Sequence, residues 1–95
     1  MKGMKVKVLV QGELREKVGP NVISIPIKTR ETVDTLLIKL SRRNPDLVES
    51  ILNPKTGDLK DEFNITLNGR SIKQIKGLYT RLKNKDEIAI SRQSE

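Results

Sequence analysis

Two rhythms of hydrophobic and polar residues run along this chain. From Met4 to Val10, MKVKVLV, the residues Val6, Val8 and Val10 alternate with Lys5, Lys7 and Leu9. A period of two marks a strand with one buried face, because successive strand side chains point to opposite sides. Val22–Ile27 repeats the rhythm, with Ile23, Ile25 and Ile27 on one face. Pro26 within it has no N–H to give to a ladder, which predicts an edge strand or a strand end. Residues 11–18 read as a connector with room for one helical turn, and Gly19-Pro20-Asn21 as a turn, so the first two strands are expected to form a hairpin.

Across residues 31–43, ETVDTLLIKLSRR, the period changes. Val33, Leu36, Leu37 and Leu40 recur at the spacing that puts four side chains on one stripe of a helix. Thr32 is placed to cap the first turn with its hydroxyl, and Asp34 lies where the helix dipole favours a carboxylate. Lys39, Arg42 and Arg43 sit at the opposite end, where cations are favoured. Asn44-Pro45 ends the helix, since a residue before proline is pushed out of the α region. This is the one long, cleanly periodic helix in the sequence, and the other elements are expected to pack on it.

Residues 45–52, PDLVESIL, predict a short second helix with Pro45 at its first position. Residues 53–62 predict a polar loop, the least ordered internal segment, with only Leu59 to bury. Phe63, Ile65 and Leu67 then alternate again. Asn68-Gly69 follows them, a strong hairpin signal because both residues tolerate positive φ. Residues 70–72 would be the return strand, 75–82 an apolar connector, and Asn84-Lys85-Asp86 a turn. Residues 87–91 would be a last strand with Ile88 and Ile90 inward. This order favours one α+β domain over residues 1–95, a mixed sheet of four to five strands covered on one face by one main helix. That is the pattern of the ubiquitin-like β-grasp, whose first and last strands are parallel central neighbours. The expected core is Val6, Val8, Val10, Ile25, Val33, Leu36, Leu37, Leu40, Ile65, Leu67, Ile88 and Ile90.

Composition narrows the chemistry. The 95 residues include no Cys and no His. Disulfides, thiolate and imidazole metal sites, and catalysis built on those side chains are therefore excluded. No acid–base pair or nucleophile stands out, so neither an enzyme nor a cofactor is expected. No run approaches the ~20 apolar residues that cross a bilayer. No apolar signal segment follows Met1, so a soluble cytoplasmic protein without membrane association is expected. The formal net charge of +7 is uneven. Residues 1–30 carry seven cations against two anions, residues 31–64 five against seven, and residues 65–95 seven against three. If the two ends pair in one sheet, that sheet carries the positive field, which suits either plain solubility or a partner with an acidic surface.

Four segments in order, VKVLVQGELREKVG, ETVDTLLIKLSRRNPDL, FNITLNGRSI and LYTRLKNKDEIAI, span almost the whole chain. Together they resemble the ubiquitin-like sulfur carriers, the family of the molybdopterin synthase small subunit and the thiamine-pathway sulfur carrier. The more specific phrases are the one with Asn68-Gly69 and the one ending Asp86-Glu87-Ile88-Ala89-Ile90. The resemblance implies the β-grasp fold and a cytoplasmic protein that works by docking onto larger enzymes. Active members of that family end in Gly-Gly, whose carboxylate an activating enzyme adenylates before it becomes a thiocarboxylate or an isopeptide bond. Here Arg92, Gln93, Ser94 and Glu95 follow Ser91, and the last glycine is Gly77. Long, charged side chains are expected to fit poorly in a channel suited to residues without Cβ. Lys85 also stands where the family often has glycine.

Ubiquitin-like proteins commonly meet partners through the open face of the sheet. Lys5, Lys7 and Leu9, with Thr66 and Ala89 from neighbouring strands and Arg70 beside the hairpin turn, are therefore the candidate partner-binding residues. Each also fits a plain solvated position. Arg42 and Arg43 are read first as complements to the helix end, and Tyr79 and Phe63 as core or half-buried. The expected function is noncovalent docking to a larger protein with an acidic surface, of the activating-enzyme or large-synthase-subunit type. The alternatives are a divergent sulfur carrier whose tail is truncated in this chain, and an RNA-binding β-grasp module. An aromatic content of 2% argues against RNA, because base stacking supplies much of single-strand affinity.

Overall fold

The computed structural model describes residues 3–12 and 22–92. Of the connector expected over residues 11–18, all beyond residue 12 lies outside the described residues, as do the turn at 19–21 and Gln93, Ser94 and Glu95. The described elements are β1 (Met4–Val10), β2 (Val22–Ile27), α1 (Val33–Arg43), α2 (Pro45–Ile51), β3 (Phe63–Leu67), β4 (Arg70–Ser71) and β5 (Glu87–Arg92). The strands form one sheet in the order β2-β1-β5-β3-β4. β1 and β5 are parallel neighbours at its centre, and the other pairs are antiparallel. The alternation read from the sequence has the right phase. Val6, Val8 and Val10, Ile23, Ile25 and Ile27, Phe63 and Ile65, and Ile88 and Ile90 all face one buried side.

The two helices cover that side. Val33, Leu36, Leu37 and Leu40 are buried along α1, as their spacing requires. Leu47, Val48 and Ile51 of α2 join the same core. Of the twelve expected core residues only Leu67 is less than buried, because it closes the sheet beside the hairpin turn and packs against the cluster's rim. Thr32 caps α1 as expected. Its hydroxyl accepts from the Thr35 N–H at 3.4 Å, and Thr35 Oγ1 accepts from the Thr32 N–H at 3.0 Å, completing a reciprocal capping box.

α1 also closes the free edge of β2. Lys39 Nζ donates to the Pro26 carbonyl at 3.1 Å, and Arg43 Nη1 to the Ser24 carbonyl at 3.1 Å. With Pro26 supplying no N–H, these contacts occupy two of the edge carbonyls that another strand could use. Lys39 further pairs with Glu31 at 2.6 Å. Burial pushes the Glu31 carboxyl up, but hydrogen bonds from Lys39 and from the Lys28 N–H, together with the Lys39 charge, outweigh it and hold the group below its ordinary 4.5. A folded-state value below the unfolded one stabilises the fold above that ordinary value and fades as pH falls through the folded one. Glu31→Gln is therefore expected to be less stable than the parent at neutral pH, with the gap narrowing as pH drops below 4.5. Urea titrations at a series of pH values check this; a gap that stays constant into acid would show that the carboxylate charge is not what holds Lys39.

Two expectations need correction. The return strand is shorter than residues 70–72, since Ile72 turns into a 3₁₀ turn, Ile72–Gln74, and is buried. Tyr79 is not half-buried. It ends a second 3₁₀ turn, Gly77–Tyr79, and is 76% exposed, because the buried anchor of that segment is its neighbour Thr80. The Thr80 hydroxyl donates to the Gly77 carbonyl at 2.7 Å and its own carbonyl accepts from the Val33 N–H at 3.0 Å, which turns Tyr79 outward. The loop over residues 53–62 carries hydrogen bonds of its own. Asn53 Oδ1 accepts from the Lys55 N–H at 2.8 Å, the Asn53 N–H donates to the Asp58 carbonyl at 2.7 Å, and Leu52 and Leu59 bridge as partly buried residues against the core.

Candidate functional site

The sheet face opposite the helices carries the candidate residues. Its register lines them up. Leu9 pairs with Val22 and with Ala89, Ala89 pairs with Thr66, and Thr66 pairs with Ser71. Val22, Leu9, Ala89, Thr66 and Ser71 thus form one lateral row across all five strands. Residues directly opposite in a ladder share a face, and these five alternate with the buried set. Ala89 at the centre is the smallest of them. Its short side chain leaves a depression of about 430 Å³, whose walls include Leu9, Gln11, Thr66, Asn68 and Glu87.

A second row lies beside the first. Lys7 pairs with Ser24 and with Glu87, and Lys5 lies two residues further along the same face. Lys5 and Lys7 are exposed, and neither side chain has a hydrogen-bond or ion-pair partner among the described residues. β1 and the turn before β5 meet here. The Lys5 N–H donates to Asn84 Oδ1 at 3.0 Å, and the Lys85 N–H donates to the Lys5 carbonyl at 2.8 Å.

One end of the depression is closed by a lock between distant segments. Asn68 Nδ2 donates to Asp86 Oδ1 at 3.0 Å, and Asn68 Oδ1 accepts from the Glu87 N–H at 2.9 Å. The Lys83 N–H donates to Asp86 Oδ2 at 2.7 Å. The lock depends on backbone in the left-handed region. Asn68 has φ 52° and Gly69 φ 88°, the pair of positive values that a two-residue hairpin loop needs. Lys85 has φ 71°, a region that a side chain with a Cβ disfavours, which explains why a glycine suits that position.

Lys5, Lys7, Leu9, Thr66 and Ala89 are therefore brought together. Arg70 is not. It pairs with Leu67, and so lies on the face opposite to Thr66. Arg92 is not a free tail residue either. It pairs with Phe63 in β5, and its guanidinium lies 5.6 Å from the Phe63 ring centroid. Gln93, Ser94 and Glu95 lie outside the described residues. Val22, Gln11, Asn68, Ser71 and Glu87 were missed. For Val22 and Glu87 the signal was available, since each has the same parity as an open-face neighbour on its own strand. Among the described residues no helix is long and apolar enough to cross a membrane.

Residues 8–90 match the ThiS family. The chain belongs to the ThiS family. Its place there, among ubiquitin-like β-grasp sulfur carriers, agrees with the parallel central pair and the helix-covered sheet. The solution structure of the small archaeal modifier protein 1 from Methanosarcina acetivorans is 32% identical, with a TM-score of 0.77, over 95% of this chain and 93% of that one. The crystal structure of SAMP1 from Haloferax volcanii superposes with a TM-score of 0.81 at 22% identity, covering 93% of each chain. A chain of the Amycolatopsis orientalis BexX/CysO complex gives a TM-score of 0.77 at 18% identity, over 92% of this chain and 93% of that one. The last two likenesses speak for the fold. No curated protein sequence matches the chain.

Proposed function

We propose that this ThiS-family chain docks noncovalently onto a larger protein partner through the open face of its sheet, with the depression at Ala89 as the seat. The observation that carries this is the row Val22, Leu9, Ala89, Thr66 and Ser71, which five strands deliver to a face that no helix covers among the described residues. Apolar side chains flank a small central one there, a shape that accepts a protruding side chain. Lys5 and Lys7 beside it suit a partner with an acidic surface, for which unpaired cations at a rim speed encounter. Membership of a family of ubiquitin-like carriers supports the same role, as does the modifier name of the Methanosarcina acetivorans relative. The chain sharing this fold in the BexX/CysO complex is one that meets a partner protein. The partner is of the activating-enzyme or large-synthase-subunit type, the docking takes place in the cytoplasm, and the chain itself contributes recognition rather than catalysis.

The test is calorimetry of the purified chain against an activating enzyme of this family, with ATP added in a parallel sample for mass spectrometry. Saturable binding without an adenylate or thiocarboxylate on the chain is the expected outcome. Product formed at a rate near that of a diglycine-tailed control would replace noncovalent docking by carrier chemistry. Reversing both charges, Lys5→Glu with Lys7→Glu, is expected to slow association about tenfold and to remove most of its salt dependence. Stopped-flow mixing at several salt concentrations reads this directly, and an unchanged association rate would detach the lysines from the docking face.

A further inference from the structure

Across the Asn68–Asp86 lock from the open face lies a second depression, of about 360 Å³. Leu67 and Ile75 supply its apolar lining, and Ile75 is 37% exposed. Lys76, Arg81 and Lys83 supply its rim, all three exposed. None of these three side chains has a hydrogen-bond or ion-pair partner among the described residues. The one carboxylate in the lining is Asp86, 9% exposed, with both oxygens already engaged by Asn68 Nδ2 and the Lys83 N–H. The rim is thus left with a surplus of positive charge around an apolar floor.

That combination selects for a ligand with one apolar side chain set among carboxylates. We propose that this depression docks an acidic segment of a partner protein, which seats a single aliphatic side chain against Leu67 and Ile75 and sets its carboxylates against Lys76, Arg81 and Lys83. Each half of the match has a separate physical basis. The floor gains from removing apolar surface from water, and the rim gains from charge complementarity that salt screens. A nucleic acid fits less well. No aromatic side chain lines the depression to stack a base. This docking is independent of the open-face contact, although Asn68 borders both depressions, so that one partner could occupy the two together.

The probe is a fluorescently labelled peptide with one leucine between two short runs of glutamate, titrated into the intact chain at low salt and read by anisotropy. Saturable binding is expected, and amide shifts in a nitrogen–proton spectrum should cluster in residues 75–83. Lys76→Glu combined with Arg81→Glu is expected to weaken binding about tenfold or more, with the thermal midpoint nearly unchanged because both side chains are exposed. Replacing the peptide's leucine by serine should weaken binding by a similar factor. Ala89→Arg, on the open face, should leave it unchanged. Should the double variant lose stability, the leucine-to-serine peptide and the shift map still decide the outcome on the parent chain. Binding that ignores the leucine or the charge reversals, shifts centred on Leu9 and Ala89, or tighter binding of an oligouridylate than of the peptide would each overturn the proposal.

Discussion

Leu37→Ala is expected to lower the unfolding free energy by about 2–5 kcal/mol. Leu37 is 2% exposed on the stripe of α1 that meets the sheet, between Leu36 and Leu40, which are fully buried. Removing its branched end takes apolar surface out of the core and leaves a void that close-packed neighbours fill only in part. Domains of this size hold only about 5–15 kcal/mol in all, so the loss is a large share of the whole. The neighbour in sequence supplies the control. Ile38 is 49% exposed, and Ile38→Ala should shift stability by no more than about 0.5 kcal/mol. Urea titrations of the two variants side by side measure the helix phase. A loss below about 1 kcal/mol for Leu37, or comparable losses for both residues, would contradict the way α1 is seated.

The largest functional effect is expected at Ala89. Ala89→Arg puts a long, charged side chain in the middle of the lateral row, where the depression of about 430 Å³ now lies. Its effect on folding should be small, because residue 89 points to solvent while Ile88 and Ile90 point inward. Its effect on docking should be large, since a buried charge without a partner and a filled seat both oppose contact. Affinity for the activating enzyme is expected to fall about a hundredfold or more, a few kcal/mol. Calorimetry gives the affinity, and a thermal melt verifies the fold. A folded Ala89→Arg protein that binds as well as the parent would move the docking site away from the open face.

Much of this architecture can be read from period alone. The phase of each strand, the buried stripe of α1 and the stop at Asn44-Pro45 are local consequences of side-chain spacing and proline geometry. Pro26 marks β2 as an edge strand for the same reason. What period cannot show is contact between distant segments. Nothing near Asn68 announces that its amide will hold Asp86, eighteen residues on. The exposure of Tyr79 follows from burial of Thr80, which depends on the cap of a helix almost fifty residues earlier, at Val33. A two-residue strand has too few positions to show its parity, so the face of Arg70 is fixed only by its pairing with Leu67. The turn at the start of residues 53–62 is held by one asparagine folding its side chain onto the backbone ahead of it, which composition reads as mere polarity. The proposed docking row was half legible. Leu9, Thr66 and Ala89 follow from alternation, whereas their alignment with Val22 and Ser71 needed the register.

The place of β5 between β1 and β3 has a consequence for how this protein is made. On the ribosome, every other strand emerges before the one that occupies the middle of the sheet. Until β5 arrives, the nascent chain holds a β1–β2 hairpin and a β3–β4 hairpin, each with an inner edge whose amides and carbonyls lack their final partner. The parallel β1–β5 pairing joins residues about eighty positions apart, such as Val8 and Ile88, so loop closure is late and the contact order high. The sheet therefore completes only once β5 has emerged, and a chain stalled before Glu87 presents two open strand edges rather than a partly finished fold.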